Sequence, residues 1–282
     1  MNNWTVEFEK FVARKEDEAA RAALSPLRTE IDCHDANALA IGNQWSNALF
    51  DGPLYVSPPG APDLPSTSLV FVQSRDGNTG AKNPSTLGGG ETDKHLIYEG
   101  LSRVAADAVL SGAETIRGGH LIFSVWLPDM VALRAALGLP RHPIQIVATL
   151  RGMNFDNALI FNEPEVRVVL LTVPQCTDAM QQPLRERPWI TPVVMKEAQD
   201  LAGAFRRLRE LGIGRISCIG GRTLARQLID ARLIQDLYLT TSAKDGGEPN
   251  TPLYPGPLEK HLVVRKHGTA ADAGVVFEHF TL

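Results

Sequence analysis

The stretch "CIGGRTLARQLID", Cys218–Asp230, decides how the rest of the chain is read. A short apolar strand runs into two adjacent glycines and then into a helical pattern from about Thr223. Two readings fit. The glycines are a tight strand-to-helix connection, or they let a phosphate settle on a helix N-terminus, where free backbone N–H groups and the helix dipole favour an anion. The dinucleotide fingerprint with three spaced glycines is not the explanation. Gly212 and Gly214 precede the strand instead of following it, and Ser217 stands where the third glycine belongs.

Working outward, short apolar runs alternate with helical patterns from Leu69 onward: "SLVFVQS", "HLIYEGLSRVAA", "DAVLSGA", "DMVALRAALG" and "IQIVAT". The second half continues with "RVVLLTV", a helix presenting Ala198, Leu201, Phe205 and Leu208 and stopping near Gly212, then "RISCIGG" and "TLARQLIDARLI". Such alternation predicts an α/β sheet. After it, "DLYLTTSA", "HLVVRKHG" and "GVVFEHFTL" read as strands without helices between them, so the sheet is expected to end in antiparallel strands and to be mixed. Residues 1–64 differ. A charged helical stretch with Phe8, Phe11, Val12, Ala19, Ala20 and Leu24 leads to "DGPLYVSPPGAPDLPS", whose five prolines argue against regular structure. The expectation is an N-terminal extension, partly helical with a Pro-rich linker, that packs on or projects from a main domain over 65–282.

With 282 residues and 44% hydrophobic composition, the chain can bury a large core. A formal net charge of −4 speaks against a nucleic-acid or anionic-membrane partner, which needs clustered Lys and Arg. The N-terminus has no apolar signal segment and no run approaches a membrane span, so a cytoplasmic location is expected. Cys33, Cys176 and Cys218 form no CxxC pattern, and the seven histidines form no HxH or HxxxH pair, so neither a disulfide framework nor a metal site is indicated. The "GGGETDK" segment, Gly88–Lys94, lacks the ending of a phosphate loop, and Gly88 to Gly90 read as a flexible flap. Trp126 and Trp189 fit core or pocket equally.

Two further segments join the glycine pair. "QSRDGNTG", Gln73–Gly80, is a polar loop after a buried-type strand, with Asp76-Gly77 also plain turn chemistry. In "RVAADAVLSGAETIRGG", Arg103–Gly119, Gly112 lets the backbone approach something before Thr115 offers a hydroxyl, or serves packing alone. These three segments, in this order, resemble the reductase domain of riboflavin biosynthesis, the C-terminal half of bacterial bifunctional deaminase-reductases, which has a dihydrofolate reductase-like fold. The family's Ser-Leu-Asp-Gly loop is matched by Ser74-Arg75-Asp76-Gly77. Its Asp-Ala-hydrophobic-Gly-x-x-Thr element is matched by Asp107 to Thr115. Its Gly-Gly-x-x-Leu turn and following helix are matched by Gly220-Gly221-Arg222-Thr223-Leu224 and by "LIQDLYLT". The resemblance covers about Leu69 to Leu282.

The resemblance implies NADPH as cofactor, hydride transfer to a pyrimidine- or pterin-like compound, and a homodimer. It places the cofactor pyrophosphate on Gly221 to Gln227, with Gly220, Arg222, Thr223 and Leu224 in the same turn. Gly112, Ala113 and Thr115 line the nicotinamide side, while Ser74 and Asp76 lie where nicotinamide meets substrate, Asp76 being the first choice for a substrate or proton-relay contact. Thr149 and Arg151, in "IVATLRG", become candidate ligands of the adenosine 2′-phosphate, since a hydroxyl and a guanidinium fork suit a dianion. A solvated loop arginine is the alternative for Arg151. Departures accumulate in the substrate half. The glutamate before the glycine pair is Ile219, the lysine six residues before the loop aspartate falls on Val70, and the arginine element after Thr115 is replaced by "IRGGHLIFSVW". An altered substrate is the natural consequence, and a relative that binds NADPH or a metabolite without catalysis is the alternative.

Overall fold

The computed structural model describes residues 4–117 and 119–282. Twelve strands run in chain order: β1 (Leu27–Asp32), β2 (Leu39–Ile41), β3 (Leu54–Val56), β4 (Ser66–Gln73), β5 (Ala108–Gly112), β6 (Ile144–Ala148), β7 (Val168–Thr172), β8 (Ile190–Val194), β9 (Arg215–Cys218), β10 (Asp236–Thr241), β11 (His261–Gly268) and β12 (Val276–Thr281). Ten of them form one sheet in the order β1-β11-β12-β10-β4-β9-β5-β6-β7-β8, and β2 and β3 pair separately. From β10 to β8 every neighbour is parallel, while β12, β11 and β1 are antiparallel. The mixed sheet with antiparallel closing strands is therefore as the sequence predicts.

Alternation along each strand sends successive side chains to opposite faces. Val70, Val109 and Val147 face one apolar cluster, in which helices Trp4–Ala20, Thr92–Leu101 and Pro128–Ala136 take part. Leu69, Leu110 and Ile146 face the other, under helices Leu201–Glu210 and Arg222–Asp230. The helix Leu201–Glu210 shows why a local pattern suffices here. Leu201, Ala204, Phe205 and Leu208 recur at helical spacing and are buried, and Asp200 caps the first turn by accepting from the Gly203 N–H. Each large side chain so buried contributes about 1.5–3 kcal/mol.

The N-terminal segment is part of this packing. Phe8 and Phe11 are buried, Phe11 meets the fully buried Trp126 edge-on at 5.7 Å, and Lys15 pairs with Glu99 at 2.8 Å. Of the two placements open to the sequence, the extension packs on the sheet, and it does more, because β1 adds an outermost strand to β11. The Pro-rich stretch also departs from expectation. Between Pro53 and Pro58 lie four residues free of proline, and the first three form β3. Its exit is anchored by Ser57, which donates through N and Oγ to the two oxygens of buried Asp236, at 2.8 and 2.7 Å. The strand β8 is a second element outside the predicted alternation. It contains Pro192, which a sheet tolerates on an edge strand, and β8 is an edge.

Candidate functional site

The loops singled out by sequence all leave the carboxyl ends of parallel strands. Ser74 and Asp76 follow β4, Gly220 and Gly221 follow β9, Gly112, Ala113 and Thr115 end or follow β5, and Thr149 and Arg151 follow β6. These strands are consecutive neighbours, β4-β9-β5-β6, so segments far apart in sequence become one row. Three inter-strand spacings make that row about 15 Å long. The carboxyl edge of parallel strands is where open α/β sheets bind ligands.

Gly221 is the N-cap of helix Arg222–Asp230, with φ −63° and ψ 168°, a conformation open to any residue. No side chain caps this end, and the first intrahelical bond is Ala225 N–H to Gly221 O, which leaves the preceding N–H groups of the turn for an outside acceptor. A methyl group added at Gly221 would meet no atom within 4 Å. The same holds at Gly112, again without a left-handed φ. Among the described residues Gly256, on a surface loop, is the third glycine of this kind. Gly220 differs, because a side chain there would strike Leu224 at 2.7 Å, so this glycine and Leu224 serve local packing. Cys218, just before the pair, is fully buried, and burial pushes its thiol up to about 12, which makes it inert.

The Ser74–Asp76 loop is built differently. Buried Ser74 Oγ donates to Asp76 Oδ1 at 2.6 Å, Asn78 Nδ2 donates to Asp76 Oδ2 at 2.8 Å, and the Gly246 N–H donates to Asp76 at 3.3 Å. The Ser74 bond, then that of Gly246, holds the exposed Asp76 carboxyl below its ordinary range. Arg75 adds a two-pronged bond to Asp245. Asp76 thus clamps its own loop to residues 245–246, and its oxygens are engaged there. Thr149 is buried and its hydroxyl donates to Gly152 O at 3.1 Å, fixing the next loop. Arg151 is exposed, and among the described residues no acid pairs with it. Val70 lies in the core, so the apolar residue there fills the space beneath the sheet, while Ile219 is buried beside the glycine pair.

Sequence reasoning missed a set one strand away. Thr240, on β10, is paired with Val72 of β4, and its hydroxyl donates to Asp93, in the first turn of helix Thr92–Leu101. Asp93 keeps some exposed surface, yet its carboxyl is desolvated. Burial, with the nearby charge of Asp272 and against the Thr240 bond, pushes it up to about 6. Over this set runs the triple glycine. Added side chains would strike Ser242 Oγ at 2.8 Å from Gly88, Asp93 Oδ2 at 2.5 Å from Gly89 and Asp272 Oδ1 at 2.1 Å from Gly90. Gly88 to Gly90 are therefore a strap seated on polar side chains. The available signal was Asp93 within "GGGETDK", three glycines with an acid behind them.

Two clefts lie away from this edge. One of about 490 Å³ is lined by Asn43, Gln44, Trp45, Ala48 and Asp129. The other, about 410 Å³, sits at the opposite ends of the strands, near Ser66, Asp107 and Arg215. There Asp107 accepts from the Gly214 and Arg215 N–H groups at 2.8 Å, a strand-joining role. Neither cleft includes a residue given a catalytic or cofactor role by the sequence, and the carboxyl edge, with its free N–H groups, is the better candidate.

The sheet order, the parallel core and the closing antiparallel strands define an α/β protein with a dihydrofolate reductase-like fold. Residues 65–276 match the model of the RibD C-terminal domain, and the chain belongs to that family. Similar solved structures include a pyrimidine reductase-like protein from Corynebacterium diphtheriae (21% identity, TM-score 0.57, 77% of this chain and 91% of that one). RibD from Acinetobacter baumannii is similar over 78% of this chain and 58% of its own, at 14% identity and TM-score 0.58. The riboflavin biosynthesis reductase Rib7 of Saccharomyces cerevisiae gives 14% identity, TM-score 0.54, and 79% and 91% coverage. No curated protein matches by sequence.

Proposed function

We propose that this chain is an NADPH-dependent reductase of an unphosphorylated pyrimidine- or pterin-like compound, working in the cytoplasm as a homodimer, with residues 65–282 as the reductase unit and 1–64 as its brace. One observation carries the reading. Gly221 is needed neither for backbone conformation nor for packing, and it stands at an uncapped helix N-terminus in a row of loops on the carboxyl edge. A ligand phosphate close to the backbone accounts for it. NADPH, when bound, supplies the hydride.

The chain supplies position and electrostatics. The N–H groups following Gly221 hold the pyrophosphate, with Arg222 and Thr223 beside them. Gly112, with open space beside it, and the adjacent Ala113 and Thr115 would line the nicotinamide side, and Arg151 would meet the 2′-phosphate. Ser74 and Asp76 keep the β4 loop rigid at the meeting point of cofactor and substrate. As Asp76 is held ionised, it accepts hydrogen bonds and is a poor proton donor.

The rival, a non-catalytic binder of the same fold, shares the phosphate site. Titrating NADPH into the protein and then following loss of reduced-nicotinamide absorbance with a panel of pyrimidines and pterins separates them. Binding with turnover supports the reductase, and binding without turnover of any candidate supports the rival. Absence of NADPH binding contradicts both. Sedimentation that returns a monomer removes the homodimer.

A further inference from the structure

Residues 242–260, between β10 and β11, are the longest stretch without helix or strand among the described residues. Loops of that length in a compact fold are usually functional or loose, and this one is tied down on two sides. On the first side it meets the loop after β4. The Arg75 N–H donates to Lys244 O at 2.8 Å, and the Glu248 N–H donates to Gly80 O at 2.7 Å. Thr251 is the hub of this contact. It is buried, its N–H donates to Asn78 Oδ1 at 3.1 Å and its carbonyl accepts from the Thr79 N–H at 2.8 Å. Its hydroxyl accepts from the Gly80 N–H at 2.9 Å and donates to Glu248 O. Asn78 in turn donates to Asp76.

On the second side the same loop runs along helix Arg222–Asp230. Arg222, Arg226 and Asp230 stand at i, i+4 and i+8, on one stripe of that helix, and the partners of all three come from this loop. Arg226 donates to Leu253 O at 3.2 Å and to Pro252 O at 3.1 Å, Asp230 accepts from the Tyr254 hydroxyl at 2.6 Å, and the Arg222 guanidinium lies 3.8 Å from Glu248. The Arg222 contact is the loosest. Both its side chains keep exposed surface, so the pair is easily exchanged for another. Arg222 is also the first residue of the uncapped helix end, where an anion on the turn competes with Glu248 for it. We infer that residues 244–254 are a clasp that carries the arrival of a pyrophosphate at the Gly221 turn to the Ser74–Gly80 loop, with Thr251 and Arg226 as its positioning residues. Such coupling needs a contiguous network with two arrangements, here Arg222 on Glu248 or on phosphate. The inference rests on the reductase reading for the identity of the anion. Its consequence is an order of events, in which the cofactor phosphates are seated before the loop that meets the substrate takes its working position.

The test titrates 2′-phosphoadenosine 5′-diphosphate into the full chain and follows backbone amides by NMR. This probe carries the pyrophosphate and the 2′-phosphate and lacks the nicotinamide riboside, so it has no group to lay on the loop after β4. The amides of Arg222 to Leu224 and those of Asn78, Thr79 and Gly80 should shift together, with one midpoint. In Thr251→Val the shifts at Asn78 to Gly80 should fall by about half or more while the probe's Kd stays within about threefold. Thr251→Ser, which keeps the hydroxyl, should restore them. Glu248→Gln should tighten the probe by about 1.5- to 5-fold, the scale of one exposed ion pair released. Shifts at Arg222 to Leu224 with Asn78 to Gly80 unmoved overturn the inference in the wild type alone and leave the phosphate site standing. Undiminished shifts at Asn78 to Gly80 in a folded Thr251→Val protein overturn it as well. A probe that leaves Arg222 to Leu224 unmoved removes the phosphate site of the reductase reading, and the clasp's trigger with it.

Discussion

Two glycine runs follow parallel strands on the same edge of the sheet, and they serve opposite ends. Gly221 has open space around it and a helix end without a cap, whereas Gly88, Gly89 and Gly90 press on Ser242, Asp93 and Asp272. Gly88 and Gly90 also have φ of +87° and +88°, the left-handed region that glycine occupies without strain. One run leaves open space in front of a helix end, which on the proposed function is where a phosphate approaches. The other is glycine because the protein's own polar groups are already there. A glycine motif in a sequence therefore carries no function by itself until its surroundings are known.

That contrast can be broken by substitution. Gly221→Val should abolish NADPH binding and change the thermal midpoint little, because the space for the side chain is free in the protein alone and a β-branched group blocks the phosphate. Fluorescence titration beside a melting curve reads both. Gly90→Ala should do the reverse, costing roughly 2–4 kcal/mol of stability from a left-handed φ and a clash with Asp272, as measured by denaturant unfolding. A folded Gly221→Val protein with full affinity, or a Gly90→Ala protein of wild-type stability, would erase the distinction between the runs.

The strap should also appear in the pH dependence. The Asp93 carboxyl, at about 6 when folded against an ordinary value of 3.8, binds its proton more tightly in the native state. Its contribution is greatest at low pH and is lost as pH rises from about 4 to 6, on the order of 2–3 kcal/mol. Glu99 works in the opposite sense. Burial alone would raise it, but the His95 ring nitrogen 3.0 Å away and the charges of Arg103 and Lys15 bring it to about 2 against an ordinary 4.5. Its stabilisation is present above pH 4.5 and is lost toward pH 2. Unfolding curves for wild type and Asp93→Asn should therefore converge below about pH 4 and separate above pH 6, with the variant more stable. Parallel curves would mean that Asp93 is not desolvated.

The smallest effect concerns cofactor choice. Arg151→Ala should weaken NADPH by about 1.5–3 kcal/mol and spare NADH, the scale of one charge-assisted hydrogen bond. Equal losses for both would move Arg151 off the 2′-phosphate.

Most of the parallel sheet was legible because its strands are buried on both faces and read as apolar runs between amphipathic helices, as with "RVVLLTV" for β7 and Ala204 to Leu208 for the helix that follows β8. The strand β8 was not, because Pro192 speaks against a strand wherever the sheet continues on both sides, and sequence does not reveal an edge. The strand β1 was hidden for a related reason. "LRTEID" has few apolar residues, and its pairing partner β11 lies near the other end of the chain. For the site, Gly112, Gly221 and the loops around them could be placed from motif order. Asp93 could not. What sets it apart is Thr240 and Asp272, brought to it by the fold from distant segments, and no local pattern encodes that meeting.

The central claim is that the turn after β9 receives the cofactor pyrophosphate, and backbone amide NMR reads it directly. On titration with NADPH, the amide signals of Arg222, Thr223 and Leu224 should shift most, with Gly112 moving in the same titration and at the same midpoint. NADPH binding that leaves these three amides unmoved while shifting others would place the cofactor elsewhere and return Gly220–Gly221 to a plain connection between strand and helix.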